Sequence, residues 1–136
     1  MKGIPTAFTD QTYGDNGTTK PNPLFSRPYQ LQWSAGRPVP PGASETFRNP
    51  GQLAVLRAQG PRVENALQEP TFNLFSSLLE APHNQIHVWV SGFMVTFRSS
   101  FDPLFWCHHC NIDRQWWEWQ QKNGDARPIG PWPCHV

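Results

Sequence analysis

Apolar positions along this chain fall into short sets at helical spacing, and most of those sets lie after residue 50. Leu53, Val55 and Leu56 form the first set, with Gly60-Pro61 as its expected stop. Val63, Ala66 and Leu67 form a second, ended by Pro70. Thr71 is placed to cap a third helix through Phe72, Phe75, Leu78 and Leu79, which share one face at a 3.6-residue period. Pro82 is expected to break that helix and, because proline is tolerated in a first turn, to open a new one from His83 to about Val90. Ser91-Gly92 would close it. The last helix is the best marked: Asp102 as N-cap, Pro103 at the first helical position, a run to about Lys122, and Asn123-Gly124 as the stop. No stretch alternates well enough to predict a strand.

Before residue 50 the pattern is one of turns. Asp15-Asn16-Gly17, Lys20-Pro21-Asn22-Pro23 and Val39-Pro40-Pro41-Gly42 are all chain breakers. Composition agrees, with 15 Pro and 10 Gly in 136 residues and most of the prolines before Thr71, while most of the 7 Trp and 9 Phe come after it. The expected fold is therefore mainly α, with a long irregular Pro/Gly-rich segment over 1–50, a helical region over 51–124 and an irregular tail over 125–136. The length fits one small domain, since domains of about 100–150 residues are the commonest size.

Charge excludes some classes of partner. Eleven Lys and Arg against 10 Asp and Glu leave a net charge of +1, so no basic footprint points to nucleic acid or to an anionic membrane surface. Charged residues make up only 15% of the chain, which predicts that part of the surface is covered by another segment or chain. No apolar run approaches the roughly 20 residues needed to span a bilayer. The opening Met-Lys-Gly-Ile-Pro-Thr-Ala-Phe-Thr-Asp has no apolar signal core, so a soluble chain is expected, with its compartment left open. Three cysteines, Cys107, Cys110 and Cys134, do not read as a disulfide framework.

The chemistry concentrates in histidine. Of five, His83, His87, His108 and His109 lie close together in sequence, and His135 stands apart. His83 and His87 are four residues apart, which puts both rings on one helix face about 5–6 Å apart at Cβ, close enough to chelate one ion. By itself such a pair is as readily two hydrogen-bonded histidines. Adjacent residues on a helix point about 100° apart, so only one of His108 and His109 can face that pair. His109 lies one turn from Phe105 and from Asp113, and Asp113 is the expected carboxylate partner for its outer nitrogen. His108 would then pack or support. Three imidazoles suit Cu, Zn, Fe or Ni, and spacing does not choose among them.

Two stretches carry a resemblance. Leu79-Glu80-Ala81-Pro82-His83-Asn84-Gln85-Ile86-His87-Val88-Trp89-Val90 resembles the first part of the second copper site of tyrosinases, catechol oxidases and molluscan hemocyanins. Phe101-Asp102-Pro103-Leu104-Phe105-Trp106-Cys107-His108-His109-Cys110-Asn111-Ile112-Asp113-Arg114 resembles the second part. The resemblance implies His83, His87 and His109 as ligands of one copper ion. It implies half of a helical-bundle domain in which two coppers face each other and bind O2 between them. It implies a tyrosinase-like oxidoreductase that oxidises phenols and o-diphenols to o-quinones. Glu80 and Asn84 resemble a pair that holds a water for deprotonating a monophenol, the plain alternatives being a solvated helix end and a turn former. Phe97 and Phe101 fall where the family places a bulky residue above the second copper, so either is a candidate substrate gate.

The family's centre uses six histidines, and residues 1–70 contain none. The chain is thus expected to be a partial domain, a fragment or a split subunit, with the first copper site on another chain or segment. Three rivals remain. A zinc peptidase of the HExxH kind would need Glu where Asn84 stands. A thiol oxidoreductase built on Cys107 and Cys110 would need a βαβ context. A hemocyanin-like oxygen carrier or non-catalytic copper module shares the same ligand motifs.

Overall fold

The computed structural model describes residues 3–26 and 46–124. The Val39-Pro40-Pro41-Gly42 turn, the 125–136 tail, Cys134 and His135 lie outside them. Four helices carry the structure: α1 (Leu53–Arg57), α2 (Gln59–Ala66), α3 (Phe72–Val90) and α4 (Pro103–Asn123). Single turns of 3-10 helix cover Thr6–Phe8, Gly92–Val95 and Ser99–Phe101.

The caps are where the sequence places them. Thr71 Oγ1 accepts from the Leu74 N–H at 3.4 Å to start α3, and Asp102 Oδ1 accepts from the Leu104 N–H at 2.8 Å to start α4. Gly124, at φ 69°, ends α4. Two boundaries differ. Gly60-Pro61 does not stop α1 but sits in the first turn of α2, where a missing proline N–H costs nothing. Pro82 does not break the chain into two helices either; α3 runs through it for 19 residues. Pro82 is buried, so the proline gives up one helical hydrogen bond while its ring fills the interior.

The N-terminal segment is not wholly irregular. Strands β1 (Thr12–Asp15) and β2 (Thr18–Pro21) form an antiparallel hairpin in which Asp15 pairs with Thr18. Asn16 and Gly17 form its two-residue loop with φ of 48° and 79°, the doubly positive geometry that Asn-Gly favours. The strands are short and nearly all exposed, so no alternation of buried and exposed positions marks them.

Two apolar clusters hold the helices. Ala66, Phe75, Leu79 and Trp119 are buried together where α2, α3 and α4 meet. The Phe75 and Trp119 rings stack with centroids 5.1 Å apart, and the Trp119 indole N–H is satisfied by the Glu69 carbonyl at 2.7 Å. Burying each such ring is worth about 1.5–3 kcal/mol, with up to about 1.5 more from the aromatic pair. The second cluster, Leu56, Trp89, Val90 and Met94, joins α1 to the end of α3.

Arg48 ties the N-terminal segment to α4. Its Nε and Nη2 bond Asp102 Oδ2 and Oδ1 at 2.7 and 2.6 Å, its Nη1 reaches the Phe8 carbonyl at 2.7 Å, and Nη2 also reaches the Leu24 carbonyl at 2.8 Å. The Asp102 side chain is fully buried. The cap of α4 is therefore also one end of a forked ion pair.

The turn after α3 is tightly built. Ser91 and Gly92 both have φ of 58°. The Phe93 N–H bonds the Phe47 carbonyl at 3.0 Å, and a Cβ added to Gly92 would lie 2.0 Å from that oxygen. Gly92→Ala is expected to destabilise the protein by roughly 2–4 kcal/mol, combining the clash with the left-handed backbone. A urea unfolding curve tests this, and an unchanged midpoint would show that the turn relaxes at no cost.

Candidate metal centre

Helix α3 presents His83 and His87 one turn apart, and α4 brings His109 across to them. Ring centroids are 4.8 Å apart for His83 and His87, 5.1 Å for His83 and His109, and 5.2 Å for His87 and His109. One ligand nitrogen from each of the three lies within 4.8 Å of the others.

The outer nitrogens decide what the inner ones can do. His87 Nδ1 donates to the Met94 carbonyl at 2.8 Å, and His109 Nδ1 donates to the Phe105 carbonyl at 2.8 Å. A carbonyl only accepts, so both Nδ1 atoms carry the proton and both Nε2 atoms present a lone pair. His83 Nδ1 is held in the same way by Asn84 Oδ1 at 3.0 Å. Yet His83 Nε2 and His109 Nε2 are 3.1 Å apart, and His87 Nε2 is buried with no hydrogen-bond partner. Converging lone pairs repel, and a cation between them removes the conflict. An all-imidazole set with its outer nitrogens already bonded therefore fits copper.

His108 faces elsewhere. It is buried, its ring lies parallel to that of His83 at 5.1 Å between centroids, and its Nε2 donates to the His83 carbonyl at 3.2 Å. Burial, then the neighbouring His83 and His87, push its pKa down to about 4. Burial, followed by the His87 charge, also lowers His83.

A histidine that prefers to stay neutral when folded contributes stability above its unfolded pKa of ~6.5, and that stability is lost as pH falls toward the folded value. The metal-free protein is expected to lose a few kcal/mol between pH ~6.5 and about 4 through His108. Unfolding free energy measured across that range checks this. A flat profile, or one that persists unchanged in His108→Phe, would assign the loss to other groups.

Asp113 is not the partner of His109. It is exposed, and the Phe105 carbonyl takes the Nδ1 proton instead. Helical side chains lean toward the N-terminus, so His109 meets the carbonyl one turn behind it rather than the carboxylate one turn ahead. Phe105 also lies against the His109 ring at 4.0 Å between centroids. Neither carbonyl holder was named from sequence. Phe105 was within reach through the i−4 rule, while Met94 lies seven residues from His87, past the Ser91-Gly92 stop, where no helical spacing links the two.

Comparison with known proteins bears on the same residues. The model of the common central domain of tyrosinase matches residues 3–122. The chain belongs to the tyrosinase family. The family is copper-dependent, and the three-histidine cluster is compatible with one copper ion of such a centre. A tyrosinase of Streptomyces lincolnensis is 51% identical over 101 residues, covering 57% of this chain and 37% of its own. A tyrosinase of Streptomyces antibioticus is 54% identical over 41 residues, 30% of this chain and 15% of its own. Hemocyanin G-type, units Oda to Odg, of Enteroctopus dofleini is 35% identical over 133 residues, covering 88% of this chain and 4% of its own. The chain thus spans well under half the length of these tyrosinase-family relatives. No solved structure matches it. The helical architecture agrees with the family's helical di-copper domain, and among the described residues no helix is long and apolar enough to cross a membrane.

The other residues implied by the tyrosinase resemblance differ in their placement: Glu80 and Asn84 lie beside His83, and Phe97 and Phe101 are exposed. Glu80 is exposed on α3, three residues before His83, and lines a cleft of about 260 Å³ with it. Asn84 is exposed and bonded to His83. Phe97 is fully exposed and Phe101 is 40% exposed.

Proposed function

We propose that this chain supplies the second copper half-site of a centre that oxidises phenols and o-diphenols to o-quinones with O2, the other half-site coming from another segment or chain. The carrying observation is the set of three imidazoles with every Nδ1 engaged by an oxygen and the ligand nitrogens gathered within 4.8 Å. When bound, copper supplies the redox centre and a cation that attracts a phenolate oxygen. The chain's own residues orient the ligands and handle the proton. Phenols have pKa values near ~10 and must lose a proton to bind a cation, so a positioned base assists. Glu80 and Asn84 are assigned to that step, with Asn84 also fixing the His83 ring. Phe97 and Phe101 are assigned to limiting which phenols approach. His108 supports His83 through its backbone carbonyl.

A second reading has its own support. The hemocyanin relative aligns over 88% of this chain, and its name describes an oxygen-carrying class rather than an oxidase. Copper content with an EPR spin count on the copper-loaded chain tests the half-site. About one visible Cu(II) per chain, lost in His83→Ala, is expected. Zinc held in preference, or no metal uptake, would overturn it. Catechol turnover by the copper-loaded chain, supplied with the complementary half-site, separates oxidase from carrier.

A further inference from the structure

We propose that Cys107 and Cys110 form a second metal site, a two-coordinate one for a soft monovalent cation such as Cu(I), on the exposed face of α4. Both cysteines are free and exposed, and they stand three residues apart on one continuous helix. Neither belongs to the three-imidazole cluster, although its ligand His109 lies between them in sequence.

Helical spacing decides what the two thiols can do together. Residues three apart on a helix hold their Cβ atoms about 5–6 Å apart, close enough to share an ion. A disulfide needs its Cβ atoms about 3.5–4.5 Å apart, so direct closure of one sulfur on the other would distort the helix. An ion between the sulfurs lengthens the bridge by one atom and fits the wider spacing. The helix is held on both sides of the pair, by the Asp102 cap before it and by the buried Trp119 after it, so that spacing is kept.

The surroundings select the ion. Thiolate sulfur is a soft ligand and prefers soft cations, Cu(I) among them. Zinc at a structural site takes four ligands. Among the described residues, His83, His87 and His109 are the only group of three or more histidine, cysteine or carboxylate ligands gathered for one ion, so nothing completes a tetrahedron at the thiols. A monovalent ion with a filled d shell needs only two ligands in line. Each thiol gives its proton to solvent on binding, and no electron is transferred. Divalent copper suits imidazole instead, so the two sites divide by oxidation state. The thiol site does not depend on the imidazole centre being filled.

The probe is Cu(I) itself, supplied as its acetonitrile complex under argon to the reduced, metal-free full chain. A single equivalent is added, the chain is treated with N-ethylmaleimide, and the alkylated cysteines are mapped by mass spectrometry. Cys107 and Cys110 should both be protected while Cys134 reacts, in the unmodified chain and in His83→Ala alike. Cys107→Ser should weaken Cu(I) by about 100-fold or more in competition with a Cu(I) chelator, because a second ligand on the same scaffold raises affinity through effective concentration. Alkylation of either thiol of the pair at one equivalent, protection that enlists Cys134, protection lost in His83→Ala, or equal protection by Zn(II) would overturn the site. Each of those results leaves the three-imidazole reading standing.

Discussion

His109→Ala is expected to abolish tight copper binding, while His108→Ala leaves about one copper per chain. The two residues are neighbours, and only geometry separates them. His109 turns its Nε2 to within 3.1 Å of His83 Nε2, with its other nitrogen fixed by the Phe105 carbonyl. His108 spends its Nε2 on the His83 carbonyl and has no nitrogen among the converging three. Loss of an outer partner alone commonly costs 10- to 100-fold in metal affinity, so losing a ligand should cost more than about 100-fold. Competition with a chelator of known affinity reads both variants. If His108→Ala lost copper as completely as His109→Ala, the assignment between the pair would be wrong. Zinc titration gives a second reading that does not involve redox chemistry.

Arg48→Met should be the most damaging single change away from the histidines. It leaves the fully buried Asp102 carboxylate without its forked partner and frees two backbone carbonyls. Breaking one side of a buried pair costs roughly 3–5 kcal/mol, a large part of the 5–15 kcal/mol that holds a typical domain together. With each kcal/mol worth roughly 3–5 °C at this chain length, melting should fall by about 9 °C or more. Asp102→Asn keeps an acceptor for the Leu104 N–H, so the double variant Arg48→Met with Asp102→Asn should recover part of the loss. A single-variant shift under about 5 °C would mean that solvent replaces the pair freely. Because Asp102 starts the helix that carries His109, copper affinity should fall with stability in the single variant.

Local signals were legible where local chemistry decides the outcome. Thr71 and Asp102 cap the helices they were expected to cap, since a side-chain acceptor and the orphan N–H groups lie within three residues. The gathering of His83, His87 and His109 into one cluster was readable from the four-residue spacing on α3 and from the resemblance around His109. Pro82 was misread because a proline's local penalty is visible in sequence, whereas the burial of its ring in α3 is not. The hairpin was missed for the opposite reason: Asn16-Gly17 signals the turn, but exposed strands carry no alternation. The Arg48–Asp102 pair joins residues 54 apart, and nothing local announces such a contact. Asp113 was placed by helical spacing alone, without the backward lean of helical side chains that sends His109 to Phe105.

Arg48 also sets an order of events during folding. Its bonds to Phe8 and Asp102 close loops of 40 and 54 residues, whereas His83 and His109 are 26 apart and each lies on a helix. Closing the longer loops sacrifices more chain entropy before any contact compensates for it. The helices can therefore bring the imidazoles together before the N-terminal segment docks. Metal captured at that stage would act as a staple on the early intermediate, and refolding in copper should be faster than refolding in chelator.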